Sequence, residues 1–207
     1  VFQGQPDVLI PGALAPQGEI TPTKGGWRLN GRWNYGSGID HGPWVLLGAL
    51  GERTPDGKRG APMHAVVRRE DIAIEDTWLT LGMRGTGSKD MIAKDVFVPA
   101  HRARETLSMF NGDFPGDVEP LYRLPVMGGL ASMLAGTVVG FTEAGIAAFV
   151  DVTRVRRESY AGAQKAAKSG VQTRVAEALG EVANARALLE MNCALLDLGL
   201  QHKYIKL

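Results

Sequence analysis

The sequence predicts an α+β protein in which a β unit precedes a helical unit. From residue 1 to about residue 104, short apolar runs are separated by turn-forming segments, and no helical periodicity intervenes. From residue 105 onward, a long stretch rich in alanine, glycine and valine is followed by a second stretch whose apolar residues recur at three- and four-residue steps, a spacing that is typical of helices. We therefore expect two domains, residues 1–104 and residues 105–207. Strands that follow one another at such short intervals are typical of a barrel or a sandwich.

Five strands are predicted in the first domain, because five runs are rich in aromatic, β-branched and other apolar residues. They are Trp27–Tyr35, Trp44–Leu50, Met63–Arg69, Ile72–Leu79 and Met91–Val98. Glycine, proline, threonine and aspartate gather between these runs, notably at Thr54–Lys58 and Gly85–Ser88, which indicates turns.

Two helices are predicted in the second domain, Val126–Val155 and Val171 to about Leu200. The stretch Leu124–Thr142 has 19 residues without a charge, which is long enough to cross a membrane. Its four glycines and the Glu143 that follows at once favour a helix buried on all sides by other helices. We expect it in a tight bundle or a subunit interface, and we expect no membrane association.

Composition excludes several classes of function. The 23 basic and 22 acidic residues give a net charge of +1, which argues against nucleic acid as a partner. The single cysteine, Cys193, excludes an intrachain disulfide and a cysteine-rich metal site, and its apolar surroundings predict a buried thiol. The four histidines lack the spacing of metal ligands, so no metal site is expected.

The strongest binding signal lies in the segment Gly26–Trp44. A flat, partly polar ligand could stack on Tyr35 and form hydrogen bonds with Ser37, where Gly36 and Gly38 leave the backbone bare. A bulge or hairpin corner with an exposed serine explains the same residues equally well. The residues alone leave both interpretations open.

Other segments have both a binding and a structural explanation. Leu81–Asp90 combines three glycines with hydroxyl and basic side chains, which could hold an anionic or polar group or form a plain polar turn. The basic segment Arg154–Tyr160 could bind a phosphate or offset a helix dipole. His41 or His101 could act as a general base, although surface histidines are more frequent. No residue pattern indicates hydrolytic chemistry.

Three motifs in this order resemble the acyl-CoA dehydrogenase superfamily and, within it, the flavin-dependent monooxygenase branch. Gly12–Gly18 is similar to the first flavin-facing β segment of that branch. Gly26–Gly38 is similar to its signature G-[WY]-x-[LV]-x-G-x-W-x-[FY]-x-S-G. Leu81–Asp90, followed by Val96–Pro99, resembles G-[LM]-R-G-T-G-S-x-D…VP. The resemblance extends over nearly the whole chain.

This resemblance implies an acyl-CoA dehydrogenase-like fold with an N-terminal helical domain, a middle β-barrel and a C-terminal four-helix bundle, assembled as a homotetramer. The chain would hold the barrel followed by part of the bundle. Both ends fall inside predicted elements or connections, so we expect a fragment of a longer, cytoplasmic protein.

The implied activity is that of the oxygenase component of a two-component aromatic hydroxylase, of the 4-hydroxyphenylacetate or seco-steroid phenol type. A separate flavin reductase would supply reduced FMN or FAD, which reacts with O2 to a C4a-(hydro)peroxide that hydroxylates a small phenolic or aromatic substrate. An acyl-CoA dehydrogenase, which desaturates an acyl-CoA with FAD, is the alternative enzyme. A third interpretation is a folded remnant that binds no flavin.

The resemblance also assigns cofactor contacts. They are Ala13, Leu14, Tyr35, Gly36, Ser37, Gly38, Arg157, Ser159 and Tyr160. Tyr35 falls where the family places an aromatic ring against the isoalloxazine, and Ser37 falls beside flavin N5 and O4. The backbone of Ala13 and Leu14 falls at the pyrimidine edge.

The remaining three assigned residues, Arg157, Ser159 and Tyr160, match the family element R-x-[ST]-[FY] near the flavin phosphates, often at a subunit contact. The family's next residue is usually glycine, whereas this chain has Ala161. The expected catalytic base, a histidine or a glutamate, lies on late bundle helices that this chain does not contain, so the catalytic residue is unknown.

Overall fold

The structure is a computed structural model that describes residues 7–52, 56–116, 119–157 and 162–202. The chain divides into two compact units, Val1–Met109 and Phe110–Leu207. The first unit contains the β-strands and the second contains the two long helices. The predicted order of a β unit before a helical unit is therefore confirmed.

Seven strands form one mixed sheet in the first unit. They are β1 Gly12–Thr23, β2 Gly26–Gly36, β3 Trp44–Gly51, β4 Pro62–Arg68, β5 Ala73–Glu75, β6 Lys89–Pro99 and β7 Ala103–Glu105. Their order across the sheet is β5-β6-β2-β1-β3-β4-β7. Neighbouring strands are antiparallel except for the parallel pair β1 and β3. A five-residue helix, α1 Thr106–Phe110, follows β7 directly.

The core of this unit comes from alternate residues of the strands, since successive side chains of a strand point to opposite faces. Val45, Leu47 and Ala49 of β3 are fully buried, and they belong to one cluster with Met91 and Val98 of β6. β3 and β6 are separated in the sheet by β1 and β2. The sheet must therefore curve for these side chains to share one core.

The parallel ladder between β1 and β3 is interrupted. Ala13 pairs with Leu47 and Gly18 pairs with Ala49, so that β1 has the segment Leu14–Gln17 where β3 has a single residue. This β-bulge lifts part of β1 out of the regular ladder.

The strand predictions differ from the structure at three places, of which the first is the three-residue strand β7, for which no strand was predicted. β1 was found only through the family resemblance, because its sequence has no apolar alternation. The strand predicted at Ile72–Leu79 is restricted to Ala73–Glu75, because the chain then turns away from β6 into an exposed loop. The other four predicted strands are confirmed with bounds that shift by one or two residues.

The second unit contains α2 Val126–Val155 and α3 Ser169–His202. Their bounds confirm the two predicted helices. A Cβ at Gly128 would lie 3.5 Å from Leu196, and one at Gly136 would lie 3.6 Å from Leu189, so the helices run antiparallel and approach closely at glycine. The Arg186 guanidinium donates two hydrogen bonds to the Glu143 carboxylate.

The prediction that α2 is buried on all sides is wrong within the described chain. Thr153 is its only buried residue among those described, because α3 covers one face and leaves the rest exposed. α2 is also the one helix in the described ranges that is long and apolar enough to cross a membrane, a test that core helices of soluble proteins pass as well. Cys193, predicted to be buried, is exposed on α3.

Candidate functional site

Two glycine-containing turns meet at one edge of the sheet. The first, Gly36–Gly38, follows β2, and the second, Gly85–Ser88, precedes β6. β2 and β6 are antiparallel neighbours with Gly36 opposite Lys89, so the two turns are held side by side. The hydroxyl oxygens of Ser37 and Ser88 lie 3.0 Å apart, within hydrogen-bond distance. The predicted serine therefore has a second hydroxyl beside it.

Tyr35 has an unusual backbone conformation that turns its ring outward. Its φ of 61° lies in the left-handed region, which non-glycine residues seldom adopt. The Ser37 amide donates to the Tyr35 carbonyl over 2.8 Å, which closes the turn. The Tyr35 side chain is 69% exposed. Strained backbone of this kind at an exposed aromatic residue is a feature of ligand-binding sites.

An exposed loop adjoins Tyr35. The Trp78 ring meets the Tyr35 ring edge to face, with centroids 6.2 Å apart and planes at 84°. The Trp78 indole N–H and the Thr86 hydroxyl both donate to the carbonyl of Met83, which itself has a φ of 55°. Beside the two rings, Leu79, Leu81 and Met83 are highly exposed. The site edge is therefore both aromatic and apolar.

The two turns are also joined by charge. The Lys89 ammonium lies 2.9 Å from the Asp40 carboxylate, and Arg69 donates to the Ile39 carbonyl over 2.8 Å. The hydrogen bond with Asp40 raises the pKa of Lys89, and the same bond lowers the pKa of Asp40. Both groups are charged at neutral pH, so the contact links the segment after Gly38 to the segment after Ser88.

The Asp90 side chain forms a hydrogen bond with the backbone of Tyr35. It is 9% exposed and accepts two hydrogen bonds from Arg32, at 2.8 and 3.1 Å. Burial raises the pKa of Asp90, but hydrogen bonds from Arg32, Thr77 and the backbone of Tyr35 outweigh it and lower the pKa. The carboxylate is therefore ionised at neutral pH and holds the strained residue.

The start of β1 reaches the same edge. Pro11 lies 3.8 Å from where a Cβ of Gly38 would be, which places the residues just before Ala13 and Leu14 beside the first turn. The Leu14 carbonyl accepts a hydrogen bond from His64 Nε2 at 3.1 Å, and His64 Nδ1 lies 2.9 Å from the Thr106 hydroxyl. Burial lowers the pKa of His64, so its imidazole is neutral.

The predicted site residues fall into two groups. Ala13, Leu14 and the segment Tyr35–Gly38 lie in the sheet unit, at the edge described above. Arg157 lies in the helical unit just after α2, where it pairs with Gln164 in an isolated bridge. Ser159 and Tyr160 lie outside the described residues. The phosphate-binding role of these three stays a prediction.

Sequence reasoning did not single out four residues that shape the site. They are His64, Trp78, Ser88 and Asp90. Only Ser88 and Asp90 had a signal, since both belong to the glycine-containing segment for which a binding and a structural explanation stayed open. His41 and His101 are exposed, and the described residues contain no group of three or more potential metal ligands.

Comparisons with known proteins identify what this chain is similar to. Residues 132–203 match the family model described as "Acyl-CoA dehydrogenase, C-terminal domain". The chain is 37% identical over 192 residues to the oxygenase component of an FADH(2)-dependent resorcinol hydroxylase from Rhizobium sp. (strain MTP-10005), covering 88% of this chain and 46% of that protein. The chain thus spans about half the length of the curated relatives that it matches.

Two solved structures share the fold. The 3-HSA hydroxylase from Rhodococcus sp. RHA1 superimposes with a TM-score of 0.85 at 32% identity, over 98% of this chain and 52% of the other. XiaF from Streptomyces sp., solved in complex with FADH2 and glycerol, gives a TM-score of 0.87 at 27% identity, over 99% and 52%. The predicted fold class and the predicted resemblance to the flavin-dependent monooxygenase branch of the acyl-CoA dehydrogenase superfamily are both confirmed.

Proposed function

We propose that the full-length protein is the oxygenase component of a two-component flavin-dependent monooxygenase that hydroxylates a small phenolic or aromatic substrate. The observation that carries the proposal is the pair of hydroxyls of Ser37 and Ser88, 3.0 Å apart beside the exposed ring of Tyr35. The names of the relatives point to the same class, since the resorcinol hydroxylase relative is an oxygenase component.

The residues present fit a flavin. An isoalloxazine is flat, with one apolar end and one polar edge, and the site offers an exposed aromatic ring next to hydroxyl groups. Either serine can donate or accept, so the pair can satisfy a ring atom that changes its protonation between redox states. A side chain at Gly36 would collide with Met91 and with the Lys89 carbonyl, and the glycine therefore keeps the turn close to β6. The Tyr35 ring, which Trp78 contacts in an edge-to-face arrangement, is then the exposed aromatic surface on which the flavin can stack.

Each predicted contact has a defined role in this proposal. Ser37 binds the flavin at N5 and O4, and the backbone of Ala13 and Leu14 binds the pyrimidine edge. Arg157, with Ser159 and Tyr160, binds the phosphates, in the homotetramer that the family resemblance implies. FMN and FAD both remain candidates, because their rings are identical.

Reduced flavin, when bound, supplies two electrons that allow O2 to transfer one oxygen atom to the aromatic ring while the other leaves as water. The residues of this chain bind and orient the ring, and the apolar side chains of the 78–83 loop, which are exposed in this structure, would shield the ring from water once it is bound. The flavin leaves the reaction oxidised, which is why a separate reductase is the proposed partner.

Oxygen consumption tests this function. The full-length protein is supplied with FMN or FAD, a flavin reductase and NADH, and a panel of phenols including resorcinol is added. We expect oxygen uptake that depends on one phenol and yields a product with one added oxygen atom. Hydrogen peroxide as the only product with every phenol contradicts the proposal. Bleaching of a tightly bound flavin by an acyl-CoA would instead support the dehydrogenase alternative.

A further inference from the structure

His64 is a buried polar residue for which the proposed chemistry has no use so far. It lies on β4, is 3% exposed, and contacts Leu14 through Nε2 and Thr106 through Nδ1. A carbonyl oxygen cannot donate, so Nε2 must carry the proton and donate it to Leu14. Neutral His64 therefore accepts at Nδ1 from the Thr106 hydroxyl. Each ring nitrogen therefore forms a hydrogen bond, and the two bonds together fix the orientation of the ring.

The partner of His64 is the bulge in β1. Between Ala13 and Gly18 this strand leaves the β3 ladder, and only Gly48 of β3 lies opposite the extra residues. A Cβ at Gly48 would lie 2.4 Å from the Leu14 carbonyl oxygen, so that oxygen occupies space that a side chain would take. Gly48 is the cross-strand neighbour of His64. Gly48 thus leaves room for the Leu14 carbonyl, and His64 supplies the hydrogen-bond donor to it.

Side chains hold both ends of the bulge. His64 binds Leu14, the first residue of the bulge. At the last residue of the bulge, the Gln17 side-chain oxygen accepts a hydrogen bond from the Asn34 backbone N–H at 3.1 Å. Asn34 immediately precedes Tyr35. The bulge is thus fixed between the backbone assigned to the flavin pyrimidine edge and the aromatic residue assigned to the flavin ring.

We propose that His64 is a positioning residue that sets where the Leu14 backbone meets the flavin, by donating a hydrogen bond from Nε2 to the Leu14 carbonyl. The inference rests on the proposed flavin site. The same hydrogen bond satisfies the Leu14 carbonyl, so a role in stability alone predicts a lower unfolding midpoint with unchanged flavin binding, and the variants below separate the two roles. A histidine at this position is required if the Nε2 donor holds the Leu14 carbonyl in its place.

Two amide substitutions separate the two hydrogen bonds of His64. In H64Q the side-chain amide reaches the position of Nε2 and can still donate to Leu14, whereas in H64N it reaches only the position of Nδ1 and can still bind Thr106. Both variants bury an amide, so both are expected to lower the unfolding midpoint by a similar amount. Binding of reduced FMN and FAD is measured anaerobically in the full-length protein, together with the visible absorption spectrum of the bound oxidised flavin.

We expect the dissociation constant of the reduced flavin to rise about tenfold in H64N and less than about twofold in H64Q, since a displaced hydrogen bond is worth about 1.4 kcal/mol. The flavin spectrum should shift in H64N alone. T106V keeps the bond to Leu14 and is the control that should bind flavin like the wild type. Equal losses in H64N and H64Q, or a loss in T106V equal to that in H64N, would overturn the proposal.

The outcomes also separate this inference from the proposed function. A wild-type protein that binds neither FMN nor FAD removes the flavin site and the role of His64 with it. A wild-type protein that binds flavin while H64N and H64Q behave alike leaves the flavin site in place and removes only the role of His64. If H64N does not fold, H64Q and T106V decide, because a tenfold loss in either contradicts a role carried by the Leu14 bond.

Discussion

The sheet unit and the helical unit bury their apolar residues to very different extents. Every buried hydrophobic residue of the described chain lies between Ile20 and Val98, in the sheet unit. The helical unit has large apolar side chains as well, but those described are exposed in part or in full. Apart from Met133, the exposed ones on α2 recur at steps of three, four, seven or eight residues: Met127, Leu134, Val138, Phe141, Phe149, Val152 and Val155.

This difference shows that burial of apolar side chains within the chain can explain the stability of the sheet unit but not that of the helical unit. A helix gains most of its stability from packing an apolar face, and α2 has two such faces while α3 covers one. The sheet unit closes on its own core, which leaves its edge free for the site. The second face of α2 needs a partner, which the predicted four-helix bundle and tetramer would provide.

The largest expected effect tests the core of the sheet unit. Trp33 is fully buried, and its indole N–H donates to the Gly48 carbonyl. W33A should lower the free energy of unfolding by about 3–5 kcal/mol, from lost apolar burial and the cavity that remains. Urea unfolding followed by circular dichroism measures the change. The matched control is W78A, in the exposed loop, with an expected loss of about 1 kcal/mol or less. Equal losses would contradict a core confined to the strands.

The second prediction tests whether the exposed apolar face of α2 is covered in the full-length protein. Phe141 on α2 is 63% exposed and Phe97 on β6 is 44% exposed. Exposure within this chain alone makes F97A the more costly of the two. If a bundle or tetramer covers α2, F141A in the full-length protein should instead cost about 2–4 kcal/mol, and F97A clearly less.

The measurement combines urea unfolding with the molar mass in solution. A larger loss for F141A, together with partial dissociation, supports a covered face on α2. A loss for F141A that is smaller than the loss for F97A shows that this face stays in water, and it would contradict the predicted assembly at this position.

Much of the fold could be predicted because its signals are local. Trp44–Leu50 is a short apolar run bounded by turn-forming residues, and Val126–Val155 is a long stretch rich in alanine, glycine and valine between a proline and a basic end. β1 lacks such a signal, since Pro16 and several polar residues interrupt it and its place depends on pairing with β2 and β3. The burial of α2 could not be predicted for this chain, because an apolar sequence does not say which chain covers it.

The site was predictable only in part, because its contacts depend on register. The sequence marks Ser37 and the glycines around it. The partner Ser88 is 51 residues away, and it reaches Ser37 only because Gly36 pairs with Lys89. His64 gives no sequence signal at all, since a single histidine in an apolar strand does not reveal that its partner is the backbone carbonyl of Leu14.

A third prediction sharpens the contrast between the core of the sheet unit and its edge. S37A removes a hydroxyl from an exposed turn, so the unfolding midpoint should stay within error of the wild type. The dissociation constant of reduced flavin should rise about tenfold, because one hydrogen bond at the ring is lost. Anaerobic titration of the full-length protein measures it. The control is T23A, because Thr23 lies at the end of β1 that is remote from Ala13 and Leu14. A fall in stability without weaker flavin binding would place Ser37 among the structural residues.

The smallest expected effect concerns the surface contact between the two helices. The hydrogen bond from Arg186 lowers the pKa of Glu143, and the hydrogen bond to Glu143 raises the pKa of Arg186. A carboxyl group whose pKa is lowered on folding contributes stability above its unfolded pKa, about 4.3, and loses that contribution as the pH falls through the folded pKa. The difference in unfolding midpoint between the wild type and E143Q should therefore be small at pH 7, and it should vanish toward pH 3.

Salt should reduce the same difference, because both side chains are partly exposed and their charges are screened. E190Q is the matched control, since its carboxylate lies 4.0 Å from Arg186 and should contribute less. A midpoint difference for E143Q that persists at pH 3 and in high salt would mean that the contact acts through packing. The helical pair would then resemble the sheet unit more closely than its exposed surface indicates.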